Sequence, residues 1–345
     1  MDAELQILAE RFTSQQLAGP RAKSPEAVAE RLLAIQGQDP RGARLAIRAR
    51  STGLAAADVD RALTEERSLV VTWLCRGTLH LVRAEDYPWL QALTTAPVQA
   101  SNRRRLAQEG VTPDAAERGI TVVERSLADE GPLTRDQLRQ RVAAAGVRTE
   151  GQALVHLLVL ASLRGVIVRG PVVGTQHAFV RVREWLGEAP PVPRERALAE
   201  LARRYLAGHG PADDRDLARW AGLALRDARA GLAAIASDLE TRADGLLALR
   251  RRPPVAELPA PRLLGAFDPV LLGWCSRAAI VQDHAGIVTS NGLFRPFALV
   301  RGRAEAIWSM RSGQVTLVPF APLGAADAAA LEADGREVER FLAAP

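Results

Sequence analysis

Gly131-Pro132-Leu133-Thr134-Arg135-Asp136-Gln137-Leu138 and Gly210-Pro211-Ala212-Asp213-Asp214-Arg215-Asp216-Leu217 are two versions of one phrase. Each follows an amphipathic helix, predicted over about 115–129 and about 194–208, and each opens a short helix. A longer apolar helix comes next, over 151–164 and 225–239. β-like pieces close each copy: 165–169 with 178–182 in the first, 245–250 in the second. The two Gly-Pro pairs stand 79 residues apart, the length of one small domain. Repetition at that spacing reads as a duplicated winged helix. The alternative is two independent Gly-Pro helix starts.

Upstream, the same order appears a third time. Ser24-Pro25-Glu26-Ala27 is a helix start, with Ser as N-cap and Pro at the first helical position. Val28, Leu32, Leu33 and Ile35 give that helix an apolar stripe. Asp39-Pro40 is expected to end it, because a residue before proline is pushed out of the α region. Helices near 42–51 and 57–66 are expected next. Two β-rich runs, 68–74 and 79–82, flank Arg76-Gly77-Thr78 and read as a hairpin. Three helices followed by a hairpin is the order of a winged helix.

Pro190-Pro191-Val192-Pro193 is a stiff linker, and Arg251-Arg252-Pro253-Pro254 with Pro259-Ala260-Pro261 marks another boundary. Beyond 262 the pattern is mainly β, with turns at Asn291-Gly292, Gly302 and Gly313, before an amphipathic helix over 325–344. The expected organisation is α+β: winged helices over 1–96, 97–189 and 190–256, then a β-rich module over 257–345.

With 345 residues the chain has ample core, and 48% hydrophobic with 25% charged residues is a globular composition. No window is apolar enough to span a membrane, and the acidic Met1-Asp2-Ala3-Glu4 start lacks a signal-peptide pattern, so a cytoplasmic location is expected. The two cysteines, Cys75 and Cys275, and the five histidines, His80, His156, His177, His209 and His284, have no metal spacing. His156, inside an apolar helical run, reads as a satisfied core or helix-face histidine. No metal or cofactor is expected. The net charge of +5 fits a nucleic-acid partner. Lys23 is the only lysine; the other 44 cations are arginines, as in high-GC bacterial genomes, which weakens the charge argument. Phosphate-loop, dinucleotide and Gly-x-Ser-x-Gly motifs are absent.

Gln36-Gly37-Gln38 stands apart from this background. If 36–38 is extended, two amides face one spot with no bulk between them, and each can both donate to and accept from one water. Read from spacing alone, the favoured reading of these residues is a polar helix end that caps free carbonyls.

Ala34-Ile-Gln-Gly-Gln-Asp39, followed by Ala43-Arg-Leu-Ala-Ile-Arg-Ala-Arg50, resembles the start of the AlkZ/YcaQ family of bacterial DNA glycosylases. Thr72-Trp-Leu-Cys-Arg-Gly-Thr-Leu-His-Leu-Val82 resembles that family's Arg-Gly-Thr-Leu-His motif. Leu264-Gly-Ala-Phe-Asp-Pro-Val-Leu-Leu-Gly-Trp274 and Asn291-Gly-Leu-Phe-Arg-Pro296 resemble its C-terminal signatures. The four motifs run in order through about 24–310. Gly37 stands where an apolar side chain is expected, and Cys275-Ser276 where a more polar pair is.

The resemblance implies tandem winged helices with a concave DNA-binding face. It also implies a catalytic Gln-x-Gln pair at Gln36 and Gln38, and a bulky N7-alkylated purine in double-stranded DNA as substrate. It associates this subgroup with self-resistance to DNA-alkylating natural products, including crosslink unhooking. Asp39 is expected to support or cap. Arg44, Arg48, Arg76, Thr78, His80, Arg277 and Arg295 are the expected DNA contacts, Ser101–Arg105 a further basic stretch, and Asp268-Pro269 a structural turn. A monomer is the expected state. The sequence leaves two rivals: a winged-helix transcription regulator, and a non-catalytic resistance protein that binds drug or DNA.

Overall fold

The structure, a computed structural model, describes residues 3–173, 176–282, 286–289 and 292–343. Helices and antiparallel sheets share the chain, as the α+β expectation requires. Packing divides it into two units, each discontinuous in sequence. One holds 1–60, 198–220 and 224–345; the other holds 61–197 and 221–223. The first and last segments of the four-segment scheme thus contribute to one packed body.

Local signals place the first helices. Ser24 Oγ accepts from the Ala27 amide at 3.2 Å, and Pro25 opens the helix Pro25–Leu32. That helix stops earlier than expected, at Leu33, whose φ of 64° leaves the helical region. Asp39-Pro40 does not end it. The pair starts the next helix, Pro40–Arg50: Asp39 accepts from the Gly42 amide at 2.9 Å, and Pro40 is the first helical residue. Proline excludes helix before itself but suits the first turn of a new one. Ala56–Thr64 is the next helix, and the strands Leu69–Leu74 and Thr78–Arg83 follow.

In the second unit those two strands pair antiparallel, with Thr72 opposite His80 and Leu74 opposite Thr78. The sheet continues to Ile167–Val173 through Val71 and Arg169, and then to Gln176–Arg181. The core behind it is the apolar helix Ala153–Leu163, where Leu154, Leu157, Leu158 and Leu160 are buried. Gly119 in the helix Pro113–Glu130 admits it closely, since a Cβ there would lie 2.7 Å from Leu157 Cδ2. His156 Nδ1 meets Asn102 Oδ1 at 2.9 Å and Asn102 donates to the His156 carbonyl, so this histidine is satisfied on its helix face.

The two Gly-Pro phrases occupy equivalent places. Leu133 exchanges both backbone hydrogen bonds with Phe179, at 3.2 and 2.7 Å, and Ala212 does the same with Leu247, at 3.1 and 2.9 Å. In each case the residue after Gly-Pro pairs with the second strand of the following hairpin, Gln176–Arg181 or Leu247–Leu249. Three helices accompany each phrase in chain order: Pro113–Glu130, Arg135–Ala144 and Ala153–Leu163, then Arg194–His209, Asp214–Ala221 and Leu225–Ala234. The sequence echo is thus an echo of backbone pairing as well as of helix caps.

The first unit carries a four-stranded antiparallel sheet in the order Gln314–Pro319, Arg303–Arg311, Phe297–Val300, Arg262–Leu264. Gly302 (φ 84°) and Gly313 (φ 80°) make its turns, where the sequence places them. Asn291, of the third predicted turn, lies outside the described residues, as does His284. The terminal helix Ala325–Ala343 buries Leu331, Val338 and Phe341, and Asp334 accepts from the Leu263 amide at 2.7 Å. No helix among the described residues is long and apolar enough to cross a membrane.

Candidate functional site

Gln36 ends the two-residue extended segment Ile35–Gln36 and is 8% exposed. Gly37 is buried, while Gln38 sits at a bend and is exposed. The extended backbone therefore stops short of Gln38. One amide is sheltered and the other open, so the pair is not the symmetric couple that a continuous strand would give. Asp39, next in line, bonds the Gly42 amide as the N-cap of Pro40–Arg50.

That helix is fixed along its length. At its start Gly42 touches the C-terminal signature: a Cβ on Gly42 would lie 2.3 Å from the Ala266 carbonyl oxygen, and one on Gly265 2.9 Å from Gly42 Cα. Only two glycines permit backbones to meet so closely. At its end Arg50 and Asp268, both wholly buried, form a two-pronged pair with N–O distances of 2.7 and 3.0 Å. Gln15 Oε1 accepts from the same guanidinium at 2.8 Å, and the Ala46 carbonyl accepts at 3.0 Å. Asp268 also accepts from the Val270 amide at 3.0 Å, so the expected Asp-Pro turn exists and additionally neutralises a buried cation. Sequence reasoning missed this pair. The signal was available: Arg50 continues the apolar stripe Ala43, Ala46, Ile47 at helical spacing, and an arginine in a buried stripe needs a partner.

Arg44 and Arg48, expected at phosphates, are held inside this unit. Arg44 pairs with Asp60, its Nε 2.9 Å from Oδ1, and donates to the Pro40 carbonyl at 2.9 Å. Arg48 pairs with Asp334 and donates to the Leu263 carbonyl at 3.3 Å, tying the helix to the terminal helix and the sheet. Their shared helix face is real, but its cations are matched to carboxylates.

Arg277 is half-buried. Its Nε donates to the Leu271 carbonyl at 3.2 Å, and its guanidinium lies 5.2 Å from the Phe294 ring centroid. Burial and then the Arg219 charge push its pKa below the usual arginine value. Phe294 in turn meets Phe267 at 5.4 Å between centroids. Phe267 follows Ala266, the residue that touches Gly42, so Arg277 and the aromatic pair are linked to the start of the helix that follows Gln38. Phe267 itself has a φ of 58°, a left-handed conformation that a bulky residue rarely holds and that marks a constrained position. Arg295 is exposed, with its backbone amide bonded to Ile287.

An aromatic nest gathers around His209 in the same unit. Tyr205 stacks on His209 at 5.0 Å, Trp220 tilts against both, and Trp274 donates to the His209 carbonyl at 2.9 Å. The Arg11 guanidinium lies 4.4 Å from the Trp274 ring centroid. Burial drives His209 to a pKa of about 3, so it is neutral, and neither ring nitrogen has a hydrogen-bond partner.

In the second unit Arg76 forms the hairpin turn, exposed and left-handed at φ 55°. Gly222 packs on it: a Cβ there would be 2.7 Å from the Arg76 backbone nitrogen. Thr78 is half-buried, and its carbonyl accepts from His80 Nδ1 at 2.9 Å. His80 is 3% exposed, and burial, then the Arg76 charge, lower its pKa to about 3. A neutral ring that donates through Nδ1 keeps its Nε2 lone pair as an acceptor and is no general acid near neutral pH. Thr72, opposite His80, is buried with its hydroxyl unpartnered. Among the described residues no His, Cys, Asp and Glu group has the makings of a metal site.

This sheltered glutamine, followed by a helix bolted to the C-terminal motifs, runs through a span, residues 29–341, that matches the model of a family described as DNA glycosylase AlkZ-like. The chain belongs to that family. It is therefore a DNA glycosylase. A protein of Streptomyces sahachiroi named "Interstrand DNA cross-link repair glycosylase" is 27% identical to it, over 97% of this chain and 95% of that protein. The solved structure of the Streptomyces sahachiroi DNA glycosylase AlkZ is similar with a TM-score of 0.76 and 25% identity, covering 98% of this glycosylase and 96% of that chain.

Proposed function

We propose that this glycosylase hydrolyses the N-glycosidic bond of bulky N7-alkylated purines in duplex DNA, and that Gln36 and Gln38 hold the attacking water against the deoxyribose. The observation that carries the reading is the anchoring of the segment: the glutamines run directly into a helix whose start is capped by Asp39 and pressed on Ala266, and whose end is locked by Arg50 and Asp268. A water can be positioned for attack only by groups that do not themselves drift.

Alkylation at N7 makes the base cationic and a good leaving group, so strong protonation is unnecessary. The sugar becomes oxocarbenium-like, as in glycoside hydrolysis. Amide oxygens then serve twice, orienting water and placing negative dipole ends toward the developing positive charge. Asp39 acts through the helix it caps. Lys23, the only lysine, is exposed and thirteen positions before Gln36 in sequence, which supports plain hydrolysis to an abasic site over a Schiff-base step. The name of the Streptomyces sahachiroi relative supports extending the substrate to interstrand crosslinks, and with it a role in self-resistance to an alkylating natural product. In this reading the protein works as a monomer on the nucleoid, in the cytoplasm, through three winged helices. Arg76, Thr78, Arg277 and Arg295 face DNA, and neutral His80 accepts a hydrogen bond.

The test is release of N7-methylguanine from a duplex, read as alkali-dependent strand breaks. Wild type is expected to break strands, with Gln36→Ala and Gln38→Ala impaired. Full activity in both variants overturns the assignment of the glutamines. Intact strands with wild type overturn the substrate.

A further inference from the structure

The second unit contains an arginine pair with no assigned task. On the sheet, Val71, Arg169 and Phe179 lie in register across three neighbouring strands, so their side chains share one face. Trp73, two residues beyond Val71, points to the same face. Its ring and that of Phe179 are parallel to within 3°, with centroids 6.4 Å apart. Arg169 rises from the strand between them, its guanidinium 5.4 Å from the Trp73 centroid. The register shifts just after Arg169, a bulge of the kind that re-aims a side chain.

Arg169 is half-buried, and its Nε is shielded from solvent without a hydrogen bond. Among the described residues it meets no carboxylate. Arg135, the exposed first residue of Arg135–Ala144, also meets none, and the Leu133–Phe179 bridge sets the start of that helix beside the sheet. Burial, then the Arg135 charge, lower the Arg169 pKa to about 10. A carboxylate is available next door, yet Asp136 bonds Arg139 at 3.2 Å and Gln176 at 3.4 Å instead. Two like charges, one of them desolvated, weaken the folded state. The Trp73 ring offsets part of that cost. An anion seated between the guanidiniums removes the rest. The proposal does not rest on the helix amides, two of which, those of Thr134 and Gln137, are already taken by the Thr134–Gln137 capping box. Recognition falls to two planar forks, which match the paired oxygens of phosphate.

We propose that Arg169 and Arg135 clamp one backbone phosphate of the DNA duplex. The proposal rests on the reading that this chain works on duplex DNA. Its test uses an undamaged duplex, so it can fail while base release stands, and the reverse.

The experiment is fluorescence anisotropy of the full chain with a labelled, undamaged duplex over a series of KCl concentrations. Arg169→Met and Arg135→Ala are each expected to weaken binding and to shallow the slope of log affinity against log salt by about 0.9, the release associated with one phosphate contact. Thermal melting supplies a readout that a packing role would not give: without DNA, Arg169→Met is expected to melt at the wild-type temperature or above. An unchanged slope in both variants overturns the clamp, as does an Arg169→Met protein that melts lower and keeps its slope. If Arg169→Met fails to fold, exposed Arg135→Ala decides by its slope alone. Inorganic phosphate at matched ionic strength forms the second arm. If it raises the wild-type melting temperature but not that of Arg135→Ala, and the DNA slope is unchanged, the site takes a small phosphate and the DNA proposal is overturned.

Discussion

Asp268→Ala should be the most damaging single change to this fold outside its apolar core. It leaves the Arg50 guanidinium wholly buried with only Gln15 and the Ala46 carbonyl as acceptors. Removing one partner of a buried pair costs about 3–5 kcal/mol, since the remaining charge keeps its desolvation and loses its compensation. The Val270 amide also loses its acceptor, adding about 1 kcal/mol. At about 2–4 °C per kcal/mol the melting temperature should drop by roughly 8–24 °C. Arg50→Met should cost a similar amount by stranding Asp268. The double variant Arg50→Met with Asp268→Ala strands no charge; it leaves Gln15 and the Val270 amide short of one bond each, about 2–3 kcal/mol together. Urea denaturation of the four proteins forms the cycle, and the double variant should lie at least about 3 kcal/mol above the sum of the singles. Simple additivity would refute the buried-pair argument, and so would an Asp268→Ala protein within about 1 kcal/mol of wild type.

The other expectations are briefer. Gln36→Ala should slow base release by about 100-fold while leaving the melting temperature nearly unchanged, and Gln38→Ala, at the more open position, should slow it less; equal rates for all three proteins would count against both residues. Gly42→Ala should destabilise by about 1–3 kcal/mol, because the added methyl meets the Ala266 carbonyl oxygen at 2.3 Å, and base release should fall with it. For pH, His80 and His209 have folded pKa values of about 3 against about 6.5 unfolded, so the unfolded chain binds more protons below 6.5. Stability should be flat above pH 7 and fall from about 6.5 toward 3, by up to about 1.4 kcal/mol per unit for each histidine. His209→Phe should shallow that fall, and an unchanged slope would show that His209 is not buried neutral.

Much of the architecture was legible because it is written locally. Ser24-Pro25 names a helix start within four residues, and Gly302 and Gly313 name turns that fall within one residue of where they were expected. The Gly-Pro echo was legible as repetition, though not as the paired Leu133–Phe179 and Ala212–Leu247 bridges, which join residues 46 and 35 positions apart. Asp39-Pro40 misled because one dipeptide can close a helix or open one, and the choice depends on which side holds the hydrogen-bonding partner. The partners of Arg48 and Arg50 lie 286 and 218 residues away, so no window of sequence reveals that these arginines are internal. Gln36-Gly37-Gln38 was found as a motif. Its unequal exposure was not readable, since it depends on a bend at Gln38 rather than on spacing.

The family motifs therefore divide between two kinds of work. Gln36 and Gln38 offer the only side chains in the first motif free of net charge and able to orient water. The Leu264–Trp274 signature supplies mostly backbone and buried partners. Gly265 and Ala266 press on the helix start, Asp268 closes the Arg50 pair, and Trp274 seals the His209 nest. A chemistry that relies on a cationic leaving group asks little acid or base strength of the enzyme and much rigidity. Under the role proposed for the two glutamines, weak groups held by a strongly bonded helix satisfy that demand. For the same reason, substitutions at Asp268 or Gly42 should lower activity without touching substrate: they loosen the frame on which the two amides depend.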